Sequence, residues 1–334
     1  MMQLINDPQD LVADSVAGLV SAHGDILTVS GTTTPVVSRA GGPTRGKVGL
    51  VSGGGSGHEP LHAGFVGVGM LDAAVPGPVF TSPSPDPILA ATQVADGGAG
   101  VVHIVKNYTG DVLNFEVAAE LATAEGLDVR SVLVADDVAV EDSTFTAGRR
   151  GVAGTLLVEK IAGAAAERGD DLDAVVAVAE RTAAAVRSMG VALTAPIVPT
   201  SGQASFELGE GEVELGIGIH GEPGRERLPG GSARDVVTRL VDAVVADLGE
   251  VSGREVLLLL NGMGATPAIE LYLAYGIARE LLEARGAQVV RSLVGNYVTS
   301  LNMAGISVSV LPLDEELTAL WDAPAHTVAL RQGM

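Results

Sequence analysis

An apolar run that dissolves into glycines constrains this chain more than any other feature. Val48-Gly49-Leu50-Val51 leads into Ser52-Gly53-Gly54-Gly55-Ser56-Gly57, and His58-Glu59-Pro60-Leu61-His62 follows. The pattern predicts a strand, a tight glycine turn and a helix that starts near Pro60. Glycine lets a backbone turn sharply and approach a ligand with no Cβ in the way. NH groups of such a turn and of a helix start can hold ligand oxygens. His58 stands at the mouth of the turn. The plainer alternative is a tight turn with a solvated histidine.

Two motif matches fail on physical grounds. His58-Glu59-Pro60-Leu61-His62 fits the H-E-x-x-H pattern of zinc proteases. That chemistry needs both histidines on one face of a continuous helix. Proline is tolerated only in a first helical turn, so the helix begins after His58 and the two rings do not stack. No metal site is expected. The glycine run also lacks the G-K-[ST] ending of a phosphate loop, and His58 falls where the last glycine of a dinucleotide fingerprint belongs.

The rest of the sequence narrows the class. Its 334 residues imply two domains. The hydrophobic content of 47% supplies two cores, which at 3% aromatics must be built from Ala, Val, Leu and Ile. A net charge of -21 repels a phosphate backbone, so nucleic acid is not an expected partner. The absence of cysteine removes disulfides, thiolates and cysteine metal sites. The first residues show neither a basic nor an apolar signal region, and no apolar run approaches eighteen residues. A cytoplasmic protein without a membrane partner is expected.

Taken in order, residues 8–23 read as an amphipathic helix with Leu11, Val12, Val16, Leu19 and Val20 in one stripe. Residues 32–46 read as a loop. The stiff segment Gly77-Pro78-Val79-Phe80-Thr81-Ser82-Pro83-Ser84-Pro85-Asp86 is too long for filler and is expected to wall a pocket, before a helix over 87–96. Residues 101–105 read as a buried strand with His103 as a core histidine. Lys106-Asn107-Tyr108-Thr109-Gly110-Asp111 then stands at a strand's carboxyl end, where ligands bind in α/β sheets. A helix over 112–123 follows, and Asp111 is equally its N-cap or a catalyst. Beyond the strand at 130–135, Asp136, Asp137, Glu141 and Asp142 read as loop carboxylates that cap neighbouring elements rather than as a Mg²⁺ site. Two Ala-rich helices, 151–163 and 172–188, complete a first domain over 1–190.

The second domain, 191–334, repeats the logic. In Val213-Glu214-Leu215-Gly216-Ile217-Gly218-Ile219-His220 the apolar residues alternate with others, so Gly216, Gly218 and His220 share one face. The glycines leave space on that face, which points to a functional histidine as readily as to a structural one. Further elements are a helix over 233–248, a strand over 255–260, a helix over 268–285, a strand over 288–294 and a last strand over 306–311. The class is α/β: two α/β domains with mixed, largely parallel sheets flanked by helices.

Several blocks standing in order then resemble a known family. They are Gly53-Gly54-Gly55-Ser56-Gly57-His58-Glu59-Pro60, Lys106 to Asp111, Gly148-Arg149-Arg150-Gly151 and Gly216-Ile217-Gly218-Ile219-His220-Gly221-Glu222-Pro223-Gly224. With Asn261-Gly262-Met263-Gly264 and Thr299-Ser300-Leu301-Asn302 they resemble the dihydroxyacetone-binding K subunits of dihydroxyacetone kinases, over essentially the whole chain. The resemblance implies that His220 binds the ketone carbon of dihydroxyacetone as a hemiaminal. It implies that His58 and Asp111 act on the hydroxyl that receives phosphate, and that Gly55, Ser56, Gly57 and Lys106 contact substrate. It also implies a homodimer that itself binds no cofactor. A separate L subunit holds the nucleotide, ADP or ATP, with its Mg²⁺. L is recharged from phosphoenolpyruvate through carriers that include an M subunit. An ATP-dependent dihydroxyacetone or erythrulose kinase and a dihydroxyacetone-sensing regulator are the alternatives. Leu61 and Phe65 depart from the family's usual Ala and Tyr. The covalent link makes chemical sense. Six heavy atoms give at most about 9 kcal/mol of noncovalent affinity, and glycerol offers nearly the same hydroxyls. A neutral imidazole adds to a carbonyl and not to an alcohol.

Overall fold

The computed structural model describes residues 3–31, 34–140, 147–222 and 224–333. Glu141 and Asp142 lie outside the described residues, as does Pro223. The chain opens with α1 (Leu11–Ala22) and strands β1 (Leu27–Ser30), β2 (Val36–Arg39), β3 (Gly49–Ser56), β4 (Gly67–Val68) and β5 (Ala73–Val79). Next come α2 (Pro85–Ala95), β6 (Val101–Lys106), α3 (Thr109–Ala124) and β7 (Val129–Val134). Two helices follow, α4 (Gly154–Arg168) and α5 (Leu172–Ala185). The second half runs through β8 (Arg187–Ala192), β9 (Ile197–Val198), β10 (Gln203–Ala204), β11 (Glu212–Leu215), β12 (Glu226–Pro229) and α6 (Ala233–Leu248). It continues with β13 (Glu255–Gly262), α7 (Ala268–Ala284), β14 (Gln288–Asn296) and β15 (Gly305–Pro312). Last are α8 (Glu315–Asp322), β16 (Ala325–Thr327) and β17 (Arg331–Gln332).

Local sequence explains the main boundaries. Pro85 occupies the first turn of α2, where its missing NH costs nothing. Asp171 caps α5 by accepting from the Ala174 NH, and Ser232 with Asp235 forms a capping box on α6. The continuous apolar run of β13 is buried on both faces, as a central strand requires.

Two six-stranded sheets result, in the orders β1-β2-β5-β3-β6-β7 and β12-β11-β8-β15-β13-β14. In the first, β5, β3, β6 and β7 are mutually parallel. In the second only β13 and β14 pair in parallel. The α/β layering is as expected, but largely parallel pairing holds for the first sheet alone. There α2 and α3 carry β5 to β6 and β6 to β7, as parallel crossovers require, while β3 reaches β5 through a 3-10 turn and β4. The division expected after Gly190 falls inside β8, all of which pairs in the second sheet.

Helix α4 lies deep in the molecule. Its Leu156, Leu157, Val158 and Ile161 join one core with Leu257, Leu259 and Leu311 of the second sheet and Trp321 of α8. The end of the chain also returns to the first half: β16 pairs with β4, and β15 is not the last strand. No helix among the described residues is long and apolar enough to cross a membrane.

Three local expectations need correction. The glycine run is strand rather than turn, because β3 stays paired with β5 through Ser56, with a register shift between Gly55 and Ser56. No α-helix starts at Pro60; the chain passes through a cis Glu59–Pro60 bond to a short 3-10 turn at Ala63–Phe65. The loop expected over 32–46 contains β2.

Candidate active site

Parallel strands bring their carboxyl ends to one edge of a sheet, and ligands bind outside that edge. Here β5 leads into Phe80-Thr81-Ser82, β3 into Gly57-His58 and β6 into the start of α3. The segment after β11 closes over them. A cavity of about 880 Å³ lies between, its wall including Gly55, Phe80, Ser82, Tyr108, Asp111 and His220.

His220 is reached by a different backbone path from the one its sequence implies. β11 stops at Leu215 because Gly216 adopts a left-handed conformation with φ of 76°. The expected alternation therefore ends, and the space beside Gly218 is not empty. A Cβ there would overlap the Glu222 carboxylate. Glu222 accepts from the His220 backbone NH at 2.9 Å and lies 3.5 Å from Arg150, which is itself paired with Asp137 at 2.6 Å. His220 Nδ1 stands 3.9 Å from Glu222 Oε1, near enough to feel its charge and too far for a hydrogen bond. The rings of His58, Phe80 and Tyr108 meet the imidazole edge-on with centroids 4.7, 5.5 and 4.5 Å away. Burial, with Lys106 and Arg150 adding repulsion, pushes the His220 pKa down to about 3. The ring is neutral and carries a free lone pair.

His58 is fully buried and stacks on Phe80. Its Nδ1 lies 2.8 Å from the Thr299 carbonyl, which can only accept, so Nδ1 carries the proton and Nε2 the lone pair. No protein group meets that Nε2. Burial and the neighbouring His220 and Lys106 hold its pKa well below the ordinary value.

Asp111 sits in the first turn of α3, whose N-cap is Tyr108, so it does not cap the helix. Its carboxylate bonds Ser82 and lies 3.8 Å from Lys106 Nζ. Burial raises its pKa against the opposing pull of Lys106. Lys106 is fully buried and donates to the Gly53 carbonyl at 3.2 Å. A Cβ on Gly54 would overlap its ammonium, so the glycine strand makes room for a buried cation.

The structure thus places Gly55, Asp111 and His220 on the wall of one cavity, with the buried His58 packed against His220 and the buried Lys106 beside Asp111 behind that wall. It does not bring Ser56 or Gly57 there. They line a separate cavity of about 280 Å³ beneath α1. Ser56 Oγ donates to the Gly77 carbonyl, and the Gly57 NH is taken by Glu59, so neither group is free for a ligand oxygen. The stiff segment after β5 supplies Phe80 and Ser82, as a pocket wall. Reading the sequence missed Phe80, Tyr108, Arg150 and Glu222 as neighbours of His220; only Glu222, two residues on, carried a local signal. Asp136 accepts from the Val152 and Gly154 NH groups at the start of α4, the capping role expected of it. No group of three or more potential metal ligands occurs among the described residues.

Comparison with known proteins identifies the family and the fold. The Dak1 domain model matches residues 17–329. The PTS-dependent dihydroxyacetone kinase 1, dihydroxyacetone-binding subunit, of Listeria innocua is 52% identical over 333 residues, which cover 98% of this chain and 100% of the relative. The PEP-dependent dihydroxyacetone kinase, dihydroxyacetone-binding subunit, of Escherichia coli is 46% identical over 359 residues, with both chains covered in full. The native crystal structure of the dihydroxyacetone kinase of C. freundii superposes with a TM-score of 0.90 at 36% identity, covering 99% of this chain and 60% of that one. The chain belongs to the Dak1 family, alongside the dihydroxyacetone-binding kinase subunits it resembles.

Proposed function

We propose that this chain binds dihydroxyacetone covalently and presents it for phosphorylation, as the substrate-binding subunit of a dihydroxyacetone kinase. The observation that carries the reading is the neutral, ring-enclosed imidazole of His220 on the same cavity wall as Asp111. The free ring nitrogen of His220 bonds to the ketone carbon while the C=O π pair moves to oxygen. The proton of the other ring nitrogen ends on that oxygen, giving a neutral hemiaminal. Glu222 steadies the imidazolium that exists before the proton leaves. The bond selects ketones over glycerol by reactivity.

Asp111 takes the proton from the hydroxyl that receives phosphate, and Lys106 beside it stabilises the developing charge. Between the two candidate bases, burial strengthens Asp111 as a proton acceptor and weakens His58. The Nε2 lone pair of His58 orients the substrate instead. Phosphate arrives from a nucleotide with Mg²⁺ on a separate L subunit. That subunit is recharged from phosphoenolpyruvate through carriers including an M subunit, and the present chain works as a cytoplasmic homodimer. Full-length similarity to PTS- and PEP-dependent subunits supports this donor over direct use of ATP. A four-carbon ketose such as erythrulose is the second reading, supported by similarity to an L-erythrulose 1-kinase and a D-erythrulose kinase of Mycolicibacterium smegmatis at 43% and 42% identity.

Intact-mass measurement after incubation with dihydroxyacetone tests the first step. The protein gains the ligand's mass and His220→Ala does not; an equal adduct on His220→Ala refutes the assignment. Asp111→Ala keeps the adduct and loses turnover by roughly 100-fold or more when L subunit is added. Unchanged turnover there would move the base to His58, whereas an adduct without any turnover in the wild type would favour a sensing role, which needs His220 but no base. Supplying L with ATP or with the phosphoenolpyruvate relay decides the donor.

A further inference from the structure

Behind Lys106 runs a row of two buried ionisable side chains, His62 and Glu159, that the steps above do not use. Lys106 Nζ lies 2.7 Å from His62 Nε2, and the opposite ring nitrogen, Nδ1, lies 2.6 Å from Glu159 Oε1. Lys106 and Glu159 are 0% exposed and His62 is 6% exposed. Glu159 projects from the middle of α4 with its second oxygen unpartnered. Buried charges persist only where they are paired. The donor inventory fixes the direction of the row. An ammonium only donates, so His62 Nε2 accepts from Lys106, and Nδ1 carries the ring proton toward Glu159. Ser52 Oγ, 3.0 Å from the same Nδ1, gives its own proton to the Ile104 carbonyl and so offers that nitrogen only a lone pair.

We propose that Glu159 and His62 are positioning residues of this site: Glu159, acting through both ring nitrogens of His62, keeps Lys106 an ammonium and holds it against Asp111. This rests on the roles given to Lys106 and Asp111 above. Five ionisable groups face Lys106: Asp111 from α3, Glu159 from α4, His58 and His62 from the segment after β3, and His220 from the second half. β3 adds the Gly53 carbonyl. Burial drives Lys106 toward losing its proton, and Asp111 and Glu159 oppose that loss. All three histidines have pKa values pushed down and stay uncharged. Burial raises the Glu159 pKa to about 8, so its charge is fullest on the alkaline side, where the Lys106 proton is most at risk. Of the two carboxylates only Glu159 stands away from the cavity, which makes it the clean handle.

The test is a nitrogen NMR titration of Lys106 Nζ in lysine-labelled protein, wild type against Glu159→Gln. Glutamine keeps the shape and the acceptor oxygen and removes the charge. The Lys106 midpoint is expected to fall by about one pH unit. The alkaline limb of phosphoryl transfer, measured with the donor subunit present, falls with it while the acid limb stays. A purely structural role would lower activity at every pH and move neither midpoint nor limb, and that result overturns the proposal. Wild-type protein gives a second measurement that needs no variant: His62 is the Nδ1–H tautomer on the alkaline side, and an Nε2–H tautomer there also overturns it. Failure of the substrate reading looks different, with no adduct on wild-type His220 while the Lys106 shift in Glu159→Gln persists.

Discussion

A histidine that adds to a ketone must keep its lone pair, and His220 is built to keep it. Burial removes the solvent that would stabilise an imidazolium, and the charges of Lys106 and Arg150 disfavour it further. An unperturbed imidazole with a pKa of about 6.5 is mostly protonated by about pH 5. His220, pushed down to about 3, is still neutral there. The acid loss of the lone pair has the same sign as in a surface histidine but is displaced to far lower pH. Adduct yield with dihydroxyacetone, followed by native mass spectrometry, should stay flat as pH falls from neutral to about 5. A yield that drops through pH 6 to 7 would mean that the ring titrates like an exposed one. The sequence pointed to His220 but not to its setting. Its argument assumed that period-2 alternation ran from Val213 to the histidine, and Gly216 breaks that path. Glu222 then occupies the space that the missing side chain of Gly218 leaves, a contact no local pattern encodes.

At the scale of elements, β3 shows what a run of glycines is for. Its residues pair as strand through Ser56, so the glycines do not turn the chain. They let other parts come close: the Lys106 ammonium packs on Gly54, and the backbone of Phe80 and Thr81 packs on Gly55. A Cβ on Gly55 would stand 2.7 Å from the Phe80 carbonyl carbon. Gly55→Ala is thus expected to destabilise the protein by about 1–3 kcal/mol, the usual cost of overpacking. It should also cut adduct yield, since Phe80 moves away from His58 and His220. Chemical denaturation together with intact mass checks both; a variant unchanged in stability and yield would show that the segment has slack. Strands and helices elsewhere were legible from their apolar patterns, a repeating buried face in α6 and a continuous apolar run in β13. Helix α4 was legible as a helix, expected over 151–163, but its burial was not: nothing in its alanines or its Glu159-Lys160 pair tells that both charged side chains are fully buried. Sequence periodicity reports one buried face, and a helix enclosed on all sides has no period to report.

Across the whole molecule, the core refuses the division that chain length implies. Leu317, Leu320 and Trp321 of α8 and Leu330 beyond it pack in the same cluster as α4 and the first sheet. Lys160 of α4 donates to the Leu320 and Ala323 carbonyls, and β16 supplies β4 with a strand partner. About twenty residues from the far end of the chain therefore complete the first half. Each buried large apolar side chain contributes about 1.5–3 kcal/mol. Four of them amount to roughly 6–12 kcal/mol, as large as the net stability of a typical domain. A chain shortened to end at Pro312 should therefore fail to fold as a whole, although every residue of both large sheets and the cavity wall is retained. The intact protein should unfold in a single cooperative thermal transition for the same reason, because the cluster around α4 also contains Leu257, Leu259 and Leu311 of the second sheet. Calorimetry decides it. Two separated transitions in the intact chain, or a shortened chain that still melts cooperatively near the parent temperature, would show that the halves are stable without the shared core.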